Sequence, residues 1–259
     1  MAKDWDRRTF MYTAALSILG GKQVADVCEG AYKDHLRNKI YHELPNHVHP
    51  IIARGIQENG KEKEKKGYGI RVGPYFLTCE HIVGLDKEVM SDFEGRFMSI
   101  DVPLRTKKVT VYGTELTEGL TDKKTDMAIY DLPKNLLKQI PKFPCRINTN
   151  LNLGKKVFHI GSPGGEGIIV RPAIIIDEDG FSPKLNPFFP TMESFGTNLS
   201  LIRGDSGTPV VDEEGKLVGI SSMNIQELGY VIKMGEYLKY MEEEPPFSIK
   251  VLQTFMRGF

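Results

Sequence analysis

A chain of 259 residues with 34 Lys plus Arg against 34 Asp plus Glu has no formal net charge, which argues against binding nucleic acid by neutralising its phosphates. Apolar residues make up 40% and charged residues 26%, with 26 Gly and 15 Pro, which excludes collagen-like, coiled-coil and globally disordered chains and leaves enough apolar content for a substantial core. Cys28, Cys79 and Cys145 are too widely spaced for a disulfide framework or a metal knuckle, and neither a metal nor a cofactor is expected.

No apolar run reaches the roughly 18 residues of a membrane-spanning helix. Residues 10–21 (FMYTAALSILGG) have the length of a signal-peptide apolar region and follow Arg7-Arg8, which resembles a twin-arginine export signal. The other reading of residues 1–25 is an N-terminal helix packed on the domain, since no clean small-residue cleavage site follows. Export to the periplasm or exterior is slightly favoured over a cytoplasmic setting. Residues 22–47 are mixed and polar, with weak helical spacing at Val24, Val27, Ala31 and Leu36; the lead-in segment is placed at 26–48, and Pro45 and Pro50 bracket its exit. Residues 51–56 read as a first strand, and 58–66 (ENGKEKEKK) as a solvated hairpin tip. Short strand-like runs then recur at 68–72, 75–78, 109–112, 127–130, 156–160, 167–176, 209–211, 217–221 and 230–232, with Gly and Pro between them. That pattern predicts an all-β sandwich or barrel. Helix is expected only in the lead-in, near Leu136 and at 235–241. The compact domain is placed at 49–241, with an internal boundary near 140–152. The tail 242–259 opens on EEEPP and carries a second apolar cluster at 249–255.

The strongest chemical signal is Arg203-Gly204-Asp205-Ser206-Gly207-Thr208, followed by an apolar strand. Glycines beside a serine let the backbone turn tightly and aim its N–H groups at one point. Such an oxyanion hole is worth about 2.7–4 kcal/mol per donor. Alone, the run suits a tight turn equally well. A serine hydroxyl needs a general base, usually His. All six histidines, His35, His42, His47, His49, His81 and His159, precede Ser206. The Ser–acid–His order of the α/β-hydrolases is therefore excluded, and Thr208 breaks their G-x-S-x-G elbow. His81 stands where a strand ends and the chain turns. Asp126 stands just ahead of an apolar strand, poised to be half buried and to fix the tautomer of a histidine. Taken singly, His81 suits a satisfied structural histidine and Asp126 a turn cap.

Together, in the order His, Asp, Ser, they resemble a specific family. Thr78-Cys79-Glu80-His81-Ile82-Val83 resembles the T-x-x-H-x-V segment of the bacterial trypsin-like serine proteases to which the HtrA proteases belong. TDMAIYDL (125–132) resembles their D-L-A-L-L segment, and GDSGTPVVDEEGKLVGI (204–220) their G-N-S-G-G-P-L-V-N segment and the strand after it. Residues 67–70, 157–164 and 229–232 match in the expected places. The resemblance covers about residues 50 to 240. It implies two six-stranded antiparallel β-barrels of the chymotrypsin type, with a short N-terminal helical lead-in, a C-terminal helix and an active site between the barrels. It implies a serine endopeptidase acting on protein or peptide substrates, with Ser206 as nucleophile, His81 as base, Asp126 orienting it, and the N–H groups of Gly204 and Ser206 as oxyanion hole. It places the floor of the specificity pocket at Ser200 and the wall at Ser221, Ser222, Met223 and Asn224. With no carboxylate there, a small or medium apolar P1 residue is expected. HtrA relatives are often trimers, so a homo-oligomer is one expectation. The 19 residues after 240 are too few for a PDZ module. A catalytically silent trypsin-fold scaffold and a serine esterase remain open as alternatives.

Several features depart from the pattern or stay outside it. Asp205 stands where HtrA proteases have Asn, and a nearby cation or backbone N–H is the expected partner, with Arg203 a candidate. Activation by a cut at Lys39-Ile40 is disfavoured, because no I-V-G-G follows. His42, His47 and His49 read as a polar linker rather than a metal site. Cys79 reads as a buried thiol rather than a second nucleophile. The glycine-rich 161–167 lacks the ending of a phosphate loop and reads as a turn or a loop beside the site.

Overall fold

The computed structural model describes residues 22–84, 87–91, 97–101, 104–116, 120–122, 125–144, 146–178, 193–225 and 227–243. The twin-arginine stretch, Cys145 and the apolar cluster at 249–255 lie outside the described residues. Helix α1 (Lys22–Asn38) runs through a π turn (Lys39–Glu43) and a 3₁₀ turn (Leu44–His47) into the first strand. Pro45, early in the 3₁₀ turn, has no N–H to give to a continuing helix. Ile40 and Leu44 anchor this segment in the core.

The first sheet contains β1 (Val48–Gln57), β2 (Glu62–Val72), β3 (Tyr75–Cys79), β6 (Leu104–Val111), β7 (Thr114–Glu115), β8 (Leu120–Asp122) and β9 (Met127–Asp131), in the order β7-β6-β1-β2-β3-β9-β8. Between β3 and β6 lie the helical turn α2 (Glu80–Val83) and a separate antiparallel hairpin, β4 (Lys87–Ser91) with β5 (Phe97–Asp101). Helix α3 (Lys134–Gln139) follows β9. The second sheet closes into a six-stranded barrel of β10 (Lys156–Gly161), β11 (Ile169–Asp177), β12 (Ser194–Thr197), β13 (Pro209–Asp212), β14 (Leu217–Ile225) and β15 (Leu228–Lys233), with α4 (Met234–Glu243) after it. The architecture is the all-β, two-sheet arrangement expected. It differs in detail: the second barrel closes with six strands, whereas the first sheet has seven, two of them only two and three residues long.

The charged run 58–66 is a correction. Only its first residues form the tip, and 62–66 continue as β2, paired with β1 as far as Ile56 opposite Glu62. Alternation of sign is what a two-sided strand can use. Glu64 bridges Arg54 on β1 at 2.6 Å and Lys66 at 3.0 Å on the solvent face.

The core joins the two sheets. Phe76, Leu77 and Ile129 from the first pack in one apolar cluster with Leu217, Ile220 and Ile232 from the second. Tyr237 on α4 is wholly buried, and its hydroxyl donates to the carbonyl of Thr78 on β3 at 3.0 Å. The helix after the second barrel is thereby fastened to the strand of the first sheet that ends next to His81.

Candidate active site

His81 is delivered by the β3–α2 junction. A helix start leaves N–H groups without partners, and here Asp126 supplies two from outside. Its main-chain oxygen accepts from Glu80 N–H and its Oδ1 from His81 N–H, each at 2.9 Å. At the other end of the turn, the Lys65 ammonium donates to the carbonyls of His81 at 2.8 Å and Gly84 at 2.7 Å, where the helix dipole favours a cation. The imidazole is thus carried on a turn fixed at both ends by side chains of other elements.

Asp126 is fully buried and has φ +56°, a conformation that Asp tolerates better than most residues. Its carboxylate oxygens stand 2.9 and 3.0 Å from His81 Nδ1, and the hydroxyl of Ser222 donates to its Oδ2. A carboxylate only accepts, so Nδ1 carries the proton and the neutral ring keeps a lone pair at Nε2. Burial works against the charged ring. The charge and hydrogen bond of Asp126 outweigh it and raise the His81 pKa above its ordinary value, with Lys65 opposing and Glu80 adding.

Ser206 sits where two tight turns meet. Asp205 N–H returns to Ile202 O at 3.0 Å, and Thr208 N–H to Asp205 O at 3.2 Å. Gly204 and Gly207 have φ of +100° and +82°, which L side chains rarely adopt. At Gly207 space is decisive as well, since a Cβ would stand 1.9 Å from the carbonyl oxygen of Tyr68. This close approach lets the Ser206 turn lie against the first sheet, with Tyr68 N–H donating to Ser206 O at 3.3 Å. Two further contacts join the halves. Cys79 S–H donates to Ser221 O at 3.2 Å, and the Tyr68 hydroxyl to Ser162 Oγ at 3.0 Å.

The Ser206 hydroxyl donates to the carbonyl of Ser222 at 2.9 Å, and among the described residues it makes no hydrogen bond to His81. The carbonyl of Arg203 accepts from Gly164 N–H at 2.8 Å. In a trans peptide the following N–H points the opposite way, so Gly204 N–H faces away from the 162–167 loop. Neither Gly204 N–H nor Ser206 N–H meets an acceptor among the described residues.

The expected pocket residues behave differently. Ser222 turns its hydroxyl to Asp126, and Ser221 turns its own to the buried His159 at 3.1 Å. Both are buried, so they offer backbone rather than side chains to a pocket wall. Asn224 donates to Ser200 Oγ at 3.0 Å and accepts from Leu201 N–H at 3.3 Å, joining the expected floor to the expected wall. Met223 packs partly against the core.

Other expectations need correcting. Asp205 does have a cation and a backbone N–H as partners, but the cation is Arg171 at 2.6 Å, with Ile202 N–H at 2.8 Å, and the candidate Arg203 is exposed. The histidine cluster is not a polar linker throughout. His49 is buried on β1, 2.9 Å from the Tyr112 hydroxyl, and burial followed by the neighbouring His47 pushes its pKa down to about 4. His47 lies edge-on to Phe143, while His42 is exposed. Cys79, His81 and Asp126 have donor atoms within 4.8 Å of one another, a spacing that could hold a metal ion. As a ligand set it is poor. Nδ1 is already committed to Asp126, and burial, then the charge of Asp126, keep the Cys79 thiol protonated by raising its pKa well above the usual range. Lys65, Tyr68, Ser162 and Arg171 were not singled out from the sequence. Only Lys65 carried a signal, as one inward position of the alternating run now seen to be strand.

The sequence matches the family model for trypsin-like peptidase domains over residues 66–220. It is 29% identical over 147 residues to the serine protease Do-like HtrA of Bacillus subtilis, covering 52% of this chain and 32% of that protein. It is 27% identical over 187 residues to a serine protease HtrA-like protein of Staphylococcus aureus, covering 65% and 21%. The chain thus spans a third or less of these curated relatives. Among solved structures, a protease from M. tuberculosis in its active form superposes with a TM-score of 0.55 at 20% identity, covering 81% of this chain and 85% of that one. At that identity the likeness is one of fold.

Proposed function

The chain belongs to the family of trypsin-like peptidase domains, and from that premise we propose that it is a serine endopeptidase acting through His81, Asp126 and Ser206. The observation that carries the reading is the His81 Nδ1–Asp126 hydrogen bond at 2.9 Å, which leaves the Nε2 lone pair available as a base, and Ser206 is held on a double glycine turn. Ser206 Oγ leaves the Ser222 carbonyl by a rotation about χ1, gives its proton to His81 Nε2 and attacks the scissile carbonyl. Asp126 stabilises the imidazolium that forms. The unclaimed N–H groups of Gly204 and Ser206 receive the oxyanion. His81 then protonates the leaving amine, and water hydrolyses the acyl-enzyme by the reverse proton path. Ser200 and Asn224, bridged to one another, would bound a shallow uncharged pocket suited to a small or medium apolar P1 side chain of a protein or peptide substrate.

The test is labelling of the folded protein with a fluorophosphonate probe, read by intact mass, beside Ser206→Ala. One adduct on the wild type and none on the variant is expected, followed by cleavage of peptide amides. Labelling that persists in Ser206→Ala overturns the assignment of the nucleophile. Turnover of esters without peptides overturns the peptidase reading.

A further inference from the structure

Arg171 and Asp205 form a deeply buried ion pair, with side chains 18% and 1% exposed and Nη2 2.6 Å from Oδ1. Buried pairs are costly to desolvate and are weak devices for stability alone. This one adjoins the nucleophile. Arg171 lies on the inward face of β11, in step with buried Ala173 and Ile175. Neither its Nε nor its Nη2 donates an aligned hydrogen bond, so the contact with Asp205 is one of charge. Gly161 on the neighbouring strand leaves room for the carboxylate, because a Cβ there would stand 2.4 Å from Asp205 Oδ1.

The Asp205 carboxylate closes the turn that carries Gly204. Its Oδ2 accepts from Ile202 N–H at 2.8 Å, while its main-chain oxygen accepts from the Thr208 hydroxyl at 2.6 Å. On the far side of the turn, the 162–167 loop holds the Arg203 carbonyl through Gly164 N–H. That loop is itself fastened by Ser162 Oγ, which accepts from Tyr68 Oη and from Gly167 N–H at 3.3 Å. The Arg203–Gly204 peptide is therefore held from two sides, and the guanidinium anchors one of them. Without it, a buried carboxylate keeps one N–H partner and must take up a proton or swing toward water. Either outcome loosens the 202–205 turn and frees the peptide to rotate.

We propose that Arg171 is a positioning residue for catalysis: an internal cation that holds Asp205 and, through it, keeps Gly204 N–H aimed as an oxyanion donor. The site is then assembled by folding, and no newly cut N-terminal amine is needed to pair with Asp205. The inference rests on the proposed peptidase function.

The full chain is compared with Arg171→Gln and Arg171→Lys. The readouts are kcat and KM on a peptide amide with titrated active sites, intact mass, Tm, and hydrogen exchange of the 202–208 segment. Arg171→Gln is expected to lose about 10²–10³-fold in kcat, the range for one lost oxyanion donor, with KM within about threefold. Arg171→Lys is expected to recover at least about tenfold of that loss, at an unaltered N-terminus. Exchange at 202–208 should quicken in Arg171→Gln and slow again in Arg171→Lys. The proposal is overturned by Arg171→Gln activity within about threefold of wild type, by Arg171→Lys no better than Arg171→Gln, by activity appearing only after an N-terminal cut, or by unchanged exchange at 202–208. A wild type that takes no probe and cleaves nothing defeats the peptidase reading, while the exchange comparison still decides whether Arg171 holds the turn.

Discussion

Replacing Asp126 by Asn tests the site at its most constrained atom pair. The fully buried carboxylate accepts from His81 N–H, His81 Nδ1–H and the Ser222 hydroxyl. An amide has one oxygen and one NH₂. If the NH₂ takes the Oδ1 place, it faces the main-chain N–H of His81, donor against donor across 2.9 Å. If it takes the Oδ2 place, it faces Nδ1 and forces the proton onto Nε2, the wrong nitrogen for a base. The second arrangement is the less costly, because Ser222 can rotate its hydroxyl to accept. The variant should therefore fold and lose about 10⁴ in kcat, equivalent to about 5.5 kcal/mol of barrier. The pH profile gives an independent reading. His81 must be neutral to act, so activity rises as pH climbs through its folded pKa. In the wild type that pKa is raised, placing the acid limb of kcat/KM above about 6.5. With Asp126→Asn the main raising cause is gone while burial and Lys65 remain, and the limb should move below about 6.5. A kcat loss under about tenfold, or an acid limb that does not move, would refute the argument that Asp126 sets the tautomer and charge of His81.

Gly207→Ala should cost about 2–5 kcal/mol in denaturant unfolding, combining a positive-φ penalty of about 1–2 with about 1–3 for overpacking against a backbone carbonyl. It should also abolish probe labelling, because relief requires moving Tyr68 or the nucleophile turn; a stable, fully labelled variant would contradict this. His159 is buried between Ser221 and Thr197, and burial, then Arg171, push its pKa down to about 3. Between about pH 6.5 and about 3 the unfolded chain binds a proton there that the folded chain does not, so stability falls on acidification. Urea titrations at about pH 7 and about pH 4 should show a smaller loss for His159→Gln than for wild type, and equal losses would assign the acid sensitivity elsewhere.

The all-β class was legible because short apolar runs between Gly and Pro recur along the chain, and nearly every such run became a strand. His81, Asp126 and Ser206 were legible as a candidate set because all six histidines precede Ser206, which excludes the Ser–acid–His order, and because the segments around the three resemble one family in the same chain order. The glycines flanking Asp205-Ser206 already implied a tight turn, and the structure gives both a positive φ. Other features were decided by tertiary structure. Strands of two or three residues carry no period, so the width of the first sheet depends on pairing partners far away in sequence. The run 62–66 became strand because β1 offered Arg54 opposite Glu64. In β11 both faces are apolar, so no local pattern tells that Arg171 points inward until the barrel closes around it. The double role of Ser222, hydroxyl to Asp126 and carbonyl to Ser206, exists only where the second barrel meets the first. Local composition set which segments could turn and which could extend. Which side chains meet was decided by closing two sheets against one another, because hydrogen-bond partners separated by tens of residues are chosen by register and packing rather than by their neighbours in the chain.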